Sequence, residues 1–141
     1  MILRPHARAV FFRCGLTLLG LAAAAAPAGA GHGGSATVVT LAATEARRLL
    51  DEGRGALFVD LRPAAEFARG HVPGARSLPI RELPRRSGEI PKGGAAILYC
   101  DCGALELRAA FQLLWDQGHR NLAVLEDTFL DWRERGYPVE R

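Results

Sequence analysis

The residues with the clearest chemical potential are two cysteines, Cys100 and Cys102, which flank a single aspartate. An apolar run over residues 95–99 ends at the first cysteine, and a pattern typical of a helix begins at Ala104. A loop that leaves a buried strand and enters a helix can direct several backbone N–H groups toward one point, where the helix adds partial positive charge. A cysteine sulfur there would be stabilised as the nucleophilic thiolate. The loop therefore predicts a nucleophile at Cys100, although cysteine also commonly ends buried strands without any chemical role.

The rest of the loop fits either interpretation. Gly103 is expected to supply a backbone torsion that other residues avoid. Cys102 lies so close to Cys100 that a disulfide would close a very short ring and restrain almost no chain. The pair is also too close for a usual zinc site, and His71 has no second ligand at a convincing spacing. The sequence therefore predicts either two reactive thiols or one incidental cysteine, with no metal and no cofactor.

Alternating strands and helices must position these residues. The predicted strands are short and apolar, as expected where both faces of a strand are buried; they cover residues 37–39, 56–60, 75–78, 95–99 and 122–125. Predicted helices cover residues 42–52, 63–69, 104–117 and 128–135, and residues 79–91 are expected to be mostly loop with one helical turn. In the third of these helices the inward side chains are expected to be Leu105, Ala109, Leu113 and Leu114. The alternation predicts an α/β fold with a parallel sheet, helices on both faces and a site beyond the carboxyl ends of the strands.

Residues 1–30 have the three parts of a secretory signal peptide. They begin with three arginines and no acid, continue with an apolar run over residues 16–26, and end in the small residues Ala28-Gly29-Ala30. We expect cleavage there, a flexible linker over residues 31–36 and one domain over residues 37–141. The expected location is the periplasm of a bacterium, free of the membrane after cleavage, and an uncleaved anchor is the alternative. Since those arginines account for the whole formal charge of +3, nucleic-acid binding is not predicted.

A second segment gives the cysteine loop a context. The chain reads Val59-Asp60-Leu61-Arg62, Glu66-Phe67 and Gly70-His71-Val72-Pro73-Gly74-Ala75, and later Leu98-Tyr99-Cys100-x-x-Gly103. Over about residues 38–139 this order and spacing resembles the rhodanese-like family. The resemblance implies a roughly five-stranded parallel sheet flanked by helices on both faces, with Cys100 as the catalytic cysteine of a sulfurtransferase. In that family the thiolate takes a sulfane sulfur from a donor such as thiosulfate, holds it as a persulfide and passes it to cyanide or a thiol.

The resemblance also implies roles for neighbouring residues. The loop that binds substrate would comprise Asp101, Cys102, Gly103, Ala104 and Leu105. A second set is expected to hold the strand-end turns together through charge-assisted hydrogen bonds and to take no direct part in catalysis; it consists of Asp60, Arg62, Glu66 and His71. The implied partners are a small sulfur donor and a thiol acceptor. The sequence leaves their identity and the oligomeric state open.

The loop departs from the family's usual pattern, C-x-x-G-x-R-S. Leu105 and Glu106 occupy the positions of Arg and Ser, so the arginine fork that would hold an anionic donor is missing. Asp101 and Glu106 add negative charge, which would disfavour the thiolate and repel thiosulfate by about 1–4 kcal/mol per charge. We therefore expect weak thiosulfate activity or none. Dual-specificity phosphatases need an arginine where Glu106 stands, which excludes that chemistry.

The sequence departs from the family's usual pattern at two further places. Cys102 stands where the family often has Ser, Lys or Arg, and it could resolve an oxidised or persulfidated Cys100. Asp127 and Thr128 replace a usual Gly-Gly, and Thr128 is expected to cap the last helix together with Asp131.

The leading hypothesis is an exported protein that accepts and transfers sulfane sulfur through a persulfide on Cys100. The alternatives are a thiol–disulfide redox protein that uses both cysteines and a catalytically silent binding module with the same fold.

Overall fold

The protein is described by a computed structural model that covers residues 36–141. The predicted signal peptide (residues 1–30) and nearly all of the predicted linker (residues 31–36) lie outside the described residues. Within residues 36–141, no helix has the length and apolar character needed to cross a membrane.

The described chain forms one five-stranded parallel sheet, in the order β1-β5-β4-β2-β3. The strands are β1 (Thr40–Leu41), β2 (Leu57–Asp60), β3 (Arg76–Ser77), β4 (Ala96–Tyr99) and β5 (Leu122–Leu125). The helices are α1 (Ala43–Asp51), α2 (Ala64–Arg69), α3 (Leu83–Arg86), α4 (Ala104–Asp116) and α5 (Phe129–Glu134), and a 3-10 turn spans Ser87–Glu89. This arrangement confirms the predicted α/β fold.

The sheet is covered on both faces because successive residues of each central strand point to opposite sides. Every residue of β4 is buried. On one face, Val59 and Leu98 pack in a core with Phe111 and Leu114 from α4. On the other face, residues such as Ile97 and Tyr99 pack in a second core with α1 and α5; its buried members include Ala43, Ala46, Phe58, Phe129 and Trp132. The sheet and both of its cores lie within residues 36–141.

Three predictions about local structure need correction. The first strand is Thr40–Leu41 and not residues 37–39. Residues 79–91, expected to be mostly loop with one helical turn, contain α3 as that turn and the 3-10 turn in addition. On α4 the side chains of Leu105 and Ala109 are exposed. The inward face carries Leu107, Ala110, Phe111 and Leu114, at the i, i+3, i+4, i+7 spacing of one helical face. The predicted Leu114 is thus confirmed, and the predicted Leu113 also packs against this core as a partly buried residue.

The C-terminal segment crosses the turn that follows α2. His71 and Glu140 exchange both backbone N–H···O hydrogen bonds at 2.9 Å, and the Glu140 carboxylate accepts a third from the Gly74 N–H at 2.9 Å. Between α2 and this pairing, Gly70 has a φ of 155°. A Cβ at that position would lie 2.9 Å from Cγ1 of Val139. Glycine is therefore required there by both the torsion and the close approach of the tail.

We expect Gly70→Ala to lower the free energy of unfolding by about 1–3 kcal/mol, because the variant combines a disfavoured backbone region with a steric contact against the tail. Urea unfolding followed by tryptophan fluorescence measures the loss. Gly88→Ala is the matched control, since a Cβ at Gly88 would meet no atom within 4 Å. Equal stability of the two variants would contradict this account of the turn.

Candidate functional site

The two cysteines lie at the carboxyl end of the central strand, as the order of elements requires. Cys100 follows β4 directly and is 6% exposed, while Cys102 is half-buried in the loop before α4. In the structure their sulfur atoms form a disulfide, with the two Cα atoms 5.2 Å apart. The backbone N–H of Cys102 also donates to Sγ of Cys100 at 3.1 Å. The loop therefore directs at least one main-chain donor at the Cys100 sulfur.

The end of the loop differs from the sequence-based expectation. Gly103 is the N-cap of α4 with φ −70° and ψ 159°, a conformation that any residue adopts. The prediction that Gly103 supplies a torsion that other residues avoid is therefore wrong. A different constraint acts at this position: a Cβ on Gly103 would lie 2.5 Å from Oε2 of Glu106. The Glu106 carboxylate therefore lies over the loop at the start of α4, where the helix dipole stabilises negative charge. Ala104 and Leu105 are both exposed, and Leu105 is 82% exposed.

Asp101 connects the loop to the last helix. One oxygen of its carboxylate accepts hydrogen bonds from the backbone N–H groups of Phe129 at 2.7 Å and Leu130 at 3.2 Å. Its other oxygen lies 3.5 Å from Nη1 of Arg62. The negative charge of Asp101 is thus largely compensated, whereas the Glu106 carboxylate has no hydrogen-bond or ion-pair partner among the described residues and would disfavour a nearby thiolate.

A buried ion pair lies beneath the loop. Nη2 of Arg62 donates to Asp60 Oδ2 at 2.6 Å and to the Gly70 carbonyl at 2.8 Å, and its guanidinium lies 3.8 Å from the centre of the Phe129 ring. Burial acts to lower the pKa of Arg62, but the hydrogen bond and charge of Asp60 outweigh it and the pKa is raised. Arg62 therefore joins the ends of β2 and α2 to the cysteine loop and α5.

Within residues 36–141, the other two residues predicted to support the site form no hydrogen bond or ion pair with Asp60 or Arg62. The His71 ring stacks on Phe67 with centroids 3.7 Å apart, and its Nδ1 lies 3.0 Å from the Phe67 carbonyl oxygen. His71 Nε2 is 3.8 Å from a carboxylate oxygen of Glu140. Glu66 is half-buried and lines a pocket beside Arg62. Within the described chain it makes no side-chain hydrogen bond or ion pair with the other three residues.

Tyr99 supports the same region from the end of β4. Its hydroxyl accepts a hydrogen bond from the Val72 N–H at 3.2 Å. Burial, followed by the neighbouring Asp60 charge, raises the pKa of Tyr99 far above its usual value, so the phenol stays neutral. Sequence reasoning did not single out this residue, although an aromatic residue directly before the cysteine was a usable signal.

Asp127 and Thr128, in place of the usual Gly-Gly, tie the final helix to the rest of the domain. Thr128 and Asp131 form the predicted capping box at the start of α5. Asp127 accepts a hydrogen bond from the Ala43 N–H at the start of α1 at 3.0 Å and pairs with Arg135 at 2.6 Å. The role of Asp127 was missed, because its partner at Ala43 is distant in sequence.

Together these features define a class of protein: a parallel α/β domain that carries a cysteine on a loop between its central strand and a helix. Within residues 36–141, no group of three or more His, Cys, Asp or Glu side chains is arranged to hold a metal ion. The sequence model of the Rhodanese-like domain matches residues 42–135, and the chain belongs to that family.

Three similar proteins illustrate the range of the family. A sulfurtransferase of Allochromatium vinosum is 36% identical over 83 residues, which cover 59% of this chain and 77% of that protein. An HTH-type transcriptional regulator of Mycobacterium tuberculosis is 39% identical over 84 residues, which cover 58% of this chain but only 36% of the regulator. The solution structure of a rhodanese-like domain from Anabaena sp. has a TM-score of 0.65 at 24% identity, covering 74% of this chain and 80% of that one; it shows the shared fold. Family membership and the sulfurtransferase relative support a sulfurtransferase-like role.

Proposed function

We propose that the reduced protein accepts a sulfane sulfur on Cys100 and transfers it to a thiol. The observation that carries this proposal is the position of Cys100 at the end of β4, with the Cys102 N–H aimed at its sulfur at 3.1 Å. That sulfur is disulfide-bonded in the structure; after reduction the same N–H would stabilise the Cys100 thiolate, and the loop would hold the terminal sulfur of a persulfide. The sulfurtransferase relative supports the same chemistry.

The proposed transfer consists of two displacements. The Cys100 thiolate attacks the outer sulfur of a donor such as thiosulfate; the donor's S–S bond breaks, and sulfite leaves with the electron pair. This gives a persulfide anion on Cys100. An acceptor thiolate then attacks the terminal sulfur, the bond between the two sulfurs of the persulfide breaks, and the Cys100 thiolate is regenerated. The acceptor leaves as its own persulfide, so no net oxidation occurs.

Thiosulfate is expected to be a poor donor. Leu105 offers it no positive charge, and the Glu106 carboxylate lies over Gly103 at the start of α4. Repulsion between that carboxylate and a doubly charged donor would cost on the order of 1–4 kcal/mol. The proposal therefore favours donors that carry less negative charge next to the transferred sulfur. It also includes export to the bacterial periplasm, which rests on the signal-peptide pattern of residues 1–30.

The disulfide between Cys100 and Cys102 favours thiol–disulfide exchange as a second candidate function. A substrate dithiol would attack one of the two sulfurs, pass through a mixed disulfide and leave oxidised, while both cysteines become thiols. The disulfide also blocks the first candidate, because Cys100 cannot attack a donor while it is bonded to Cys102. Sulfur transfer would then begin only after a dithiol reductant has supplied two electrons.

Labelling of the reduced protein tests the first candidate. A chain of residues 31–141 is reduced, freed of reductant and incubated with thiosulfate or with an inorganic polysulfide, and its intact mass is measured. We expect an added mass of about 32 Da, one sulfur atom, on the wild type and on Cys102→Ser. Cys100→Ser, the matched control, should gain no such mass. Absence of the added sulfur with both donors would reject sulfur transfer, and loss of labelling in Cys102→Ser would favour the redox alternative.

A further inference from the structure

We propose that a pocket between α2 and α5 binds the carboxylate of the small thiol compound that exchanges sulfur with Cys100. The key side chains are those of Arg69 and Arg133, and we call this space the Arg69–Arg133 pocket. The inference deepens the proposed function and rests on it, since it names the class of donor or acceptor: a thiol or persulfide with a carboxylate a few bonds from its sulfur.

The pocket adjoins the cysteine loop. Asp101, which follows Cys100 directly in the chain, forms part of its lining. One side of the pocket is formed by Phe129 and Leu130 in the first turn of α5. The Leu130 side chain is 51% exposed. A ligand in the pocket therefore lies beside the loop and has an apolar side chain available for a short carbon chain.

The charges of the pocket leave two cations available. Arg62 is committed to Asp60, the Gly70 carbonyl and Asp101. Arg69 and Arg133, by contrast, take part in no ion pair or side-chain hydrogen bond among the residues that the structure describes. Both are exposed, so each can turn its planar guanidinium toward a carboxylate and donate two parallel hydrogen bonds.

The size and the acidic residue of the pocket limit what it can hold. Its volume is about 130 Å³, several times the ~10–15 Å³ that one water molecule needs. A carboxylate with one or two methylene groups fits that space. Glu66 also lines the pocket and lowers its net positive charge, which favours a singly charged group over a doubly charged anion.

The position of these cations separates two kinds of sulfur donor. In thiosulfate the negative charge lies on the group bonded directly to the transferred sulfur, where this loop offers Leu105 and Glu106 and no cation. In a carboxylate-bearing persulfide the charge lies several bonds away. That distance suits a protein whose available arginines stand to the side of the loop.

A ligand without transferable sulfur tests the pocket independently of Cys100 chemistry. Residues 31–141 with Cys100→Ser and Cys102→Ser are titrated with 3-(methylthio)propionate and, separately, with its uncharged amide, and backbone amide shifts are followed by NMR. We expect saturable shifts at Arg69, Leu130 and Arg133 with the acid only. Arg69→Gln with Arg133→Gln should raise its Kd at least tenfold, whereas Arg85→Gln, another exposed arginine outside the pocket, should leave the Kd unchanged. Equal binding of acid and amide, or an unchanged Kd in the double variant, would overturn the inference.

Sulfur transfer provides the second arm. Reduced protein with both cysteines is treated with the persulfide of 3-mercaptopropionate or of 2-mercaptoethanol, and the rate of sulfur addition to Cys100 is measured. We expect the acid to react at least tenfold faster at low concentration, and the preference to disappear in the double arginine variant. Carboxylate binding without any sulfur addition from either persulfide would reject the proposed function while leaving the binding site intact. Sulfur addition without a preference for the acid would reject the pocket and leave the proposed function standing.

Discussion

Replacing Arg62 with methionine is expected to lower the free energy of unfolding by about 3–5 kcal/mol, the loss typical when one partner of a buried ion pair is removed. Asp60 is fully buried and its carboxylate accepts hydrogen bonds from Arg62 Nε, Nη2 and backbone N–H. The variant leaves that carboxylate without a counter-charge and the Gly70 carbonyl without its donor. Chemical denaturation, monitored through the buried Trp132, measures the loss.

Two controls assign the effect to the buried charge. Arg48, whose side chain is 57% exposed, forms a surface ion pair with Glu45. Arg48→Met removes that pair and should lower the free energy of unfolding by no more than about 0.5 kcal/mol. In the second control, Asp60→Asn is combined with Arg62→Met, which removes both charges and should recover part of the stability lost in the single variant. If the double variant were less stable than Arg62→Met alone, the carboxylate would not be the cause.

The central strands were predictable because their environment is simple. Strands buried on both faces require continuous apolar residues, and the runs ending at Asp60 and Tyr99 have that composition. Each prediction matched the observed strand to within one residue. The position of Cys100 followed from the same argument, since a residue after a central parallel strand must lie at the carboxyl edge of the sheet.

The rest of the site depends on contacts between residues distant in sequence. Asp101 looked like a charge beside the sulfur, but it caps α5 through Phe129 and Leu130. The direction of its side chain depends on where α5 packs, and no local pattern encodes that position. Leu105 was assigned to the core because leucines on amphipathic helices usually face inward, whereas the sheet meets another side of α4. The Arg69–Arg133 pocket is likewise formed by two helices that are far apart in the chain.

The redox state of the cysteine loop is understood from the sequence and the structure together. Two cysteines separated by one residue suggested reactive thiols, and the structure adds a bond between them and a main-chain donor to Cys100. In sulfur transfer Cys100 is the nucleophile, whereas in disulfide exchange the bond between Cys100 and Cys102 is attacked by a substrate thiolate, so the redox state of the cysteine pair selects between the two reactions. A protein kept oxidised would act only by exchange, and a reduced one would be open to sulfur donors.

Restoring the family's usual loop ending is expected to raise thiosulfate activity at least tenfold. The change is Leu105→Arg together with Glu106→Ser. Removing the Glu106 charge relieves on the order of 1–4 kcal/mol of repulsion, and each 1.4 kcal/mol corresponds to a factor of ten in rate. The new arginine adds a cation at the position that lacks one. Because Leu105 is 82% exposed, its replacement sacrifices little packing.

The rate is measured as kcat/KM for thiocyanate formation from thiosulfate and cyanide by the reduced protein. Glu106→Gln alone separates the removal of repulsion from the addition of a cation, and Glu134→Gln, an exposed acid at the far end of α5, controls for net charge. The gain should shrink as ionic strength rises, because exposed charges are screened within about 8–10 Å at physiological salt. An arginine at the start of α4 opposes the helix dipole and should cost ~0.3–1 kcal/mol of stability, too little to unfold the domain. An unchanged kcat/KM in the double variant would mean that the charges around Cys100 do not limit the reaction with thiosulfate, and that the identity of the donor is decided elsewhere on the protein.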